Sequence, residues 1–256
     1  MKSVLIKIFC MVSFFTLTIS QVKPAEDHSL MVKANEAYQN EDYAQAITIY
    51  TGIISHGNAG AVLYYNLGNA YYKAGENARA LLWYERALRL DPGNEDIKHN
   101  ILFVNQTLVD NIDIMPEFFL NRWWKTISMS MTSGSWAVLS IVCVFLFFTA
   151  IAVLLISRKP RVRTGTLIAS IIFLTGFIFS LLFAYQENVR YVKNPEAIIM
   201  KSVVTAKSTP NRSGNDLFVI HEGLKVQIAD QVGEWYEIRL ANGEKGWVEQ
   251  QSLEVI

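Results

Sequence analysis

Two uninterrupted apolar runs constrain this chain more than any other feature. "WAVLSIVCVFLFFTAIAVLLI" (Trp136–Ile156) and "TLIASIIFLTGFIFSLLFAY" (Thr166–Tyr185) hold 21 and 20 residues without one charge. A helix rises about 1.5 Å per residue, so each run can cross a hydrocarbon core of about 30 Å. A soluble protein can bury one such helix; two in succession predict a membrane-embedded pair of transmembrane helices. Trp136 and Tyr185 stand at run ends, where interfacial aromatics belong. Neither run contains Asp, Glu, Lys, Arg or His, so neither offers a relay for proton or ion transport.

The residues between the runs, 157–165, begin "SRKPRVR" and carry Arg158, Lys159, Arg161 and Arg163. Short loops rich in Lys and Arg stay in the cytoplasm, and Pro160 is expected to break the helix between spans. Both flanking regions then face away from the cytoplasm. The rest of the charge agrees with that topology. The net charge of zero sums unlike segments: +2 over residues 1–20, −4 over 21–135, +4 in the clip and −2 over 164–256. Neither extramembrane stretch is basic, which argues against a nucleic-acid partner.

Residues 1–20 combine Lys2 and Lys7 with an apolar core from Ile8 to Ile19, short for a span and normal for a secretory signal peptide. Thr18-Ile19-Ser20 offers a cleavage site before Gln21; an uncleaved anchor is the alternative, with unchanged sidedness. Export by this segment places residue 21 onward across the membrane, on the side away from the cytoplasm. The two cysteines, Cys10 and Cys143, lie in apolar segments and imply no disulfide.

Residues 21–112 contain an internal repeat. "ANEAYQNEDYAQAITIY" (34–50) aligns with "GNAYYKAGENARALLWY" (68–84) at an offset of 34. That period, with two helical stretches per unit, is the tetratricopeptide (TPR) signature, giving repeats at 27–60 and 61–94 and a capping helix at 95–112. The second unit supplies the framework Tyr64, Leu67, Gly68, Tyr71, Ala80, Tyr84, Ala87 and Pro92. Small residues at Gly68 and Ala80 admit a close helix pair, and the aromatics fill it. The first unit is looser, with Ile53 at a small-residue position and Asn58 in place of Pro. By resemblance to other TPR stacks, partners would meet the concave face, here Met31, Asn35, Tyr38, Tyr65, Asn69, Tyr72 and Lys73. Some of these tyrosines would instead pack within the stack. The face lacks the several basic residues that clamp a C-terminal carboxylate.

Residues 113–135 cluster Phe118, Phe119, Trp123 and Trp124 just before the first span, an aromatic juxtamembrane segment suited to the headgroup layer or to a docked partner. From residue 196 to 256 the pattern turns to short alternating strands. Tyr236, Ile238 and Leu240 alternate with polar neighbours, Asn242-Gly243 marks a hairpin, and Gly246-Trp247-Val248 opens the return strand. This resembles a bacterial SH3 (SH3b) all-β barrel. An Asn-x-Arg-x-x-Pro element common in that family is reduced here to Lys207 and Pro210. Trp235, Tyr236 and Trp247 are the candidate groove; the alternative is that the tryptophans mainly pack the barrel.

No histidine pair has metal-ligand spacing, and His221-Glu222-Gly223 reads as a turn. No glycine-rich phosphate loop or supported nucleophile occurs, so the expectation is no enzyme and no cofactor. The order of signal, TPR pair, two spans around a basic clip and SH3b, with "NEDIKHNILF" and "LFVIHEG", resembles the BatE family of the bacterial Bat (aerotolerance) operon. That resemblance implies partners among Bat proteins with von Willebrand A domains and a MoxR-type AAA+ ATPase, and a role in oxidative-stress tolerance and envelope integrity. Two functions follow as expectations: a non-enzymatic inner-membrane scaffold, or an envelope module whose SH3b domain binds peptidoglycan peptides.

Overall fold

The structure, a computed structural model, describes residues 25–110, 112, 118–193 and 195–256. The expected signal segment lies outside these residues, as do 113–117. The chain divides into two compact units, Met1–Gly57 and Asn58–Ile256.

The first unit is a helix pair, α1 (Ala25–Gln39) and α2 (Tyr43–Ser55). Asp42 caps α2, accepting a hydrogen bond from the Gln45 amide at 3.0 Å. Ala34, Ala37, Ala46, Tyr50 and Ile53 are buried. The alanines leave room for the Tyr50 ring, as the repeat alignment anticipates.

The second unit opens with α3 (Ala61–Lys73), α4 (Asn77–Leu90) and α5 (Glu95–Asn105). Gly68 is where α4 comes closest: a Cβ there would lie 2.6 Å from a Tyr84 ring carbon. Ala80 and Ala87 on α4 are fully buried. Leu81, Leu82, Ile97, Ile101 and Val104 join α4 to α5, each contributing roughly 1.5–3 kcal/mol by burial. Asn94 caps α5, accepting from the Asp96 and Ile97 amides. The helix ends at Asn105, seven residues short of the expected 112.

A short helix, α6 (Phe119–Ser128), precedes α7 (Ser133–Ile156) and α8 (Pro160–Lys193). Both long helices can cross a membrane by length and composition, and only 17% of each apolar window is buried, the reverse of a soluble core helix. They pack along faces of small residues, including Ser140, Ala150, Ser170 and Ser180. The basic segment is less of a loop than the sequence suggests. Only Ser157–Lys159 separates the helices, and Pro160 opens α8 rather than merely breaking α7. A proline in a first helical turn forfeits no internal hydrogen bond, so Arg161 and Arg163 sit on that turn.

The C-terminal part is all β: β1 (Glu196–Ile199), β2 (Val203–Lys207), β3 (Asp216–His221), β4 (Lys225–Val232), β5 (Trp235–Arg239), β6 (Lys245–Glu249) and β7 (Leu253–Val255). Every pairing is antiparallel, in the order β3-β2-β6-β5-β4-β1-β7. The sheet is open at β3 and β7, an arrangement consistent with the expected SH3b barrel. It curls around one core, which includes Ile220 from one edge strand and Leu253 from the other. The predicted hairpin stands: Gly243 has φ of 90° in the β5–β6 turn.

Candidate interaction surfaces

In each TPR repeat an asparagine on the first helix meets a tyrosine fifteen residues later. Tyr50 donates its hydroxyl to Asn35 Oδ1 at 2.5 Å. Tyr84 donates to Asn69 Oδ1 at 2.7 Å. Asn35 and Asn69, read from sequence as partner-contacting positions, thus also hold their own helix pairs together. Tyr38 stacks edge-on against Tyr43, with ring centroids 5.5 Å apart.

In the second repeat α5 engages the same row of positions. Asn100 on α5 donates to Tyr65 Oη at 3.1 Å and to Asn69 Oδ1 at 3.0 Å. Phe103 meets the Tyr72 ring edge-on. Of the candidate residues in this unit, Tyr65, Asn69 and Tyr72 are half-buried in that contact and Lys73 is exposed. The surface they offer is an aromatic shelf with amide groups already directed inward.

On the SH3b part, Trp235 lines an open groove of about 700 Å³ with Pro210, Arg212, Glu234, Glu249 and Gln250. Tyr236 lies on the opposite side of β5, half-buried against the sheet core. Its hydroxyl accepts a hydrogen bond from Gln250 at the groove margin, 3.1 Å away. Trp247 pairs with Glu237 across β5–β6, which puts it on the strand face of Trp235. It does not line the groove. Sequence reading missed Arg212 and Glu249. Arg212 Nε donates to Glu249 at 3.1 Å, and Gln251 donates to its other oxygen at 2.6 Å. The Gln251 bond, followed by those from Arg212, holds the Glu249 carboxyl below its ordinary range. Lys207 forms an ion pair with Asp216 across β2–β3.

The structure also joins the TPR and SH3b parts. Ile198, Met200 and Ile256 enter the hydrophobic cluster of α4 and α5. Around that contact, Lys225 Nζ lies 2.9 Å from both Glu85 and Glu196. Burial alone would push the Lys225 ammonium down, but the two carboxylates outweigh it and raise its pKa. Burial likewise pushes Glu196 up, and Lys225 with Arg190 more than reverses this, leaving its carboxyl below the ordinary range. Arg86 reaches Glu254 at 3.0 Å, and Arg89 donates to the Ile256 carbonyl at 3.0 Å.

His221 ends β3, and the following Glu222-Gly223 forms the turn read from sequence. Its backbone amide and ring Nδ1 both bind the Asp110 carboxylate, at 2.6 and 2.8 Å. Gly223, at φ of 87°, lets Leu108 approach to 2.5 Å from where a Cβ would stand. These cross-domain pairs have no local period, so no sequence signal marks them.

The helical hairpin is tied to the same body. Trp124 on α6 packs on Phe183 of α8 at 4.8 Å and donates to Gln186 at 2.9 Å. Trp136 donates to the Ser128 carbonyl at 2.9 Å, fixing the α6–α7 corner. Phe119, Leu120 and Trp123 fall on one side of α6 and stay exposed, beside the side that carries Trp124. Among the described residues no group of three or more His, Cys, Asp or Glu is placed to hold a metal ion.

The likeness to known families follows these boundaries. The tetratricopeptide repeat family matches residues 31–95, and the bacterial SH3 domain family matches 202–254. The chain is similar to the Sgt2 TPR domain from Aspergillus fumigatus, at 14% identity and TM-score 0.31, over 68% of this chain and 85% of that one. It is also similar to the first TPR of Spaghetti (RPAP3) bound to the HSP90 peptide SRMEEVD, at 19% identity and TM-score 0.20, over 34% and 95%. No curated protein sequence matches the chain. The chain therefore combines a TPR region, two apolar helices long enough to span a membrane, and a bacterial SH3 domain.

Proposed function

We propose that this protein is a non-enzymatic scaffold of the bacterial inner membrane that presents its TPR and SH3b domains to protein partners in the periplasm. One observation carries this reading: two domains of binding type, from opposite ends of the hairpin, dock on each other through Lys225, Glu85 and Glu196. Docking requires both flanks to lie on one side, as a two-span hairpin demands. The basic clip supports the periplasm as that side. The BatE resemblance supplies a partner class, Bat-type proteins with von Willebrand A domains, and a setting in oxidative-stress tolerance.

Crosslinked pull-down from solubilised native membranes tests the proposal. Recovery of a von Willebrand A protein is the expected result; bait alone, with and without crosslinker, sinks it. A periplasm-active reporter fused after Ile256 should be active, and inactivity overturns the sidedness.

The groove beside Trp235 favours a second reading, capture of peptidoglycan peptides. Co-sedimentation of the full chain with purified sacculi, abolished by Trp235→Ala, would support it; no pelleting disposes of it.

A further inference from the structure

The membrane end of the hairpin carries more charge than topology needs. Arg158, Lys159, Arg161 and Arg163 form no ion pair with another described residue. No Asp or Glu occurs between Glu117 and Glu187 in the sequence. The nearest acidic residue of the hairpin, Glu187, lies at the far end of α8 and pairs with Arg190, so the four cations have no counter-charge on their own end of the hairpin.

The four are not equivalent. Arg158, in the three-residue link after α7, and Arg163, on the first turn of α8, both line an open groove of about 630 Å³ between the helix ends. Lys159 and Arg161 do not. The groove's other walls include Leu154, Leu155 and Leu167. Leu155 is 80% exposed and Leu167 48%. These leucines continue the outward apolar surface of the two helices. A guanidinium pair suits a phosphodiester, which it can grip through forked hydrogen bonds. The leucine walls suit acyl chain, and would be left wetted by a soluble phosphate.

We propose that this groove is a binding site for an anionic phospholipid, with Arg158 and Arg163 on the headgroup phosphate and Leu154, Leu155 and Leu167 against the chains. The proposal rests on the membrane reading above and adds a ligand to it. It separates a site from the diffuse attraction that any polybasic segment has for an anionic leaflet.

The test is native mass spectrometry of the full chain, equilibrated in detergent with equal phosphatidylglycerol and phosphatidylcholine. Wild type should retain phosphatidylglycerol about tenfold over phosphatidylcholine. R158Q/R163Q should lose that preference, and K159Q/R161Q should keep it. Both pairs leave two cations in the clip, so their effects on topology are matched. Equal loss in the two pairs overturns the site in favour of diffuse attraction. Displacement of the lipid by millimolar glycerol phosphate overturns it in favour of a soluble phosphate. No preference in wild type also overturns it. Alkaline carbonate extraction of cell membranes gives the separate readout: release of wild type overturns the membrane reading, and retention without lipid preference overturns the site alone.

Discussion

Lys225→Met examines the docking of the two domains most directly. The substitution keeps most of the side chain's length and removes the one ammonium that faces both Glu85 and Glu196 at 2.9 Å. It leaves two carboxylates no more than about 6 Å apart, whose repulsion at an effective dielectric near 20 is roughly 3 kcal/mol. Lys225 is 36% exposed and Glu196 32%, so water relieves part of this. A loss of about 2 kcal/mol in docking is the resulting figure, between exposed and fully buried pairs. The assay is hydrogen exchange on the solubilised full chain. Amides of α4 and β1 should exchange about 30-fold faster, since 1.36 kcal/mol is tenfold. Adding Glu85→Gln should recover most of that loss, because neutralising one carboxylate abolishes the repulsion between the two. Unchanged exchange in α4 and β1, or strictly additive effects of the two substitutions, would refute the reasoning.

The same contact predicts an acid limb. Glu196 titrates below its ordinary 4.5, so its contribution is present above that value and lost as pH falls through the lower folded one; α4–β1 exchange should rise there. Lys225 titrates above its ordinary 10.5, so its contribution is full below that pH and fades only as pH rises through the folded value. Gly68→Ala would place a Cβ 2.6 Å from the Tyr84 ring and should destabilise the second repeat by about 1–3 kcal/mol in denaturant titration. Gly52→Ala on α2 meets nothing within 4 Å and should stabilise its helix by about 0.5–1 kcal/mol. Tyr84→Phe removes the hydroxyl bond to Asn69 and should lose about 1 kcal/mol in the same titration, with Asn100 still donating to Asn69.

The features legible in the sequence are those with a period. An offset of 34 marks Gly68 and Tyr84 as framework positions of the second repeat, and runs of 21 and 20 uncharged residues mark the two long helices. Alternation on β5 put Ile238 in the core. What escaped reading depends on residues with no period between them. Asn35 and Asn69 each have a matching tyrosine, but only helix-pair geometry reveals that they bond within their repeats. Lys225 and Glu85 are 140 positions apart, and neither breaks a pattern. His221 read as a turn because its Asp110 partner lies beyond both spans. Residue type alone groups Trp247 with Trp235. Register puts the two on one strand face, while the groove forms around Pro210 and Arg212.

The docking of β1 and β7 on α4 and α5 turns the chain between them into a closed circuit. At one end α7 and α8 are joined by three residues, Ser157–Lys159. At the other, their flanks are fastened by Lys225, by Arg86 on Glu254, and by Trp124 on Phe183. Two rods pinned at both ends cannot slide past each other as a piston. They can tilt or turn only as a pair. A mechanical message through this hairpin would therefore have to move α7 and α8 together.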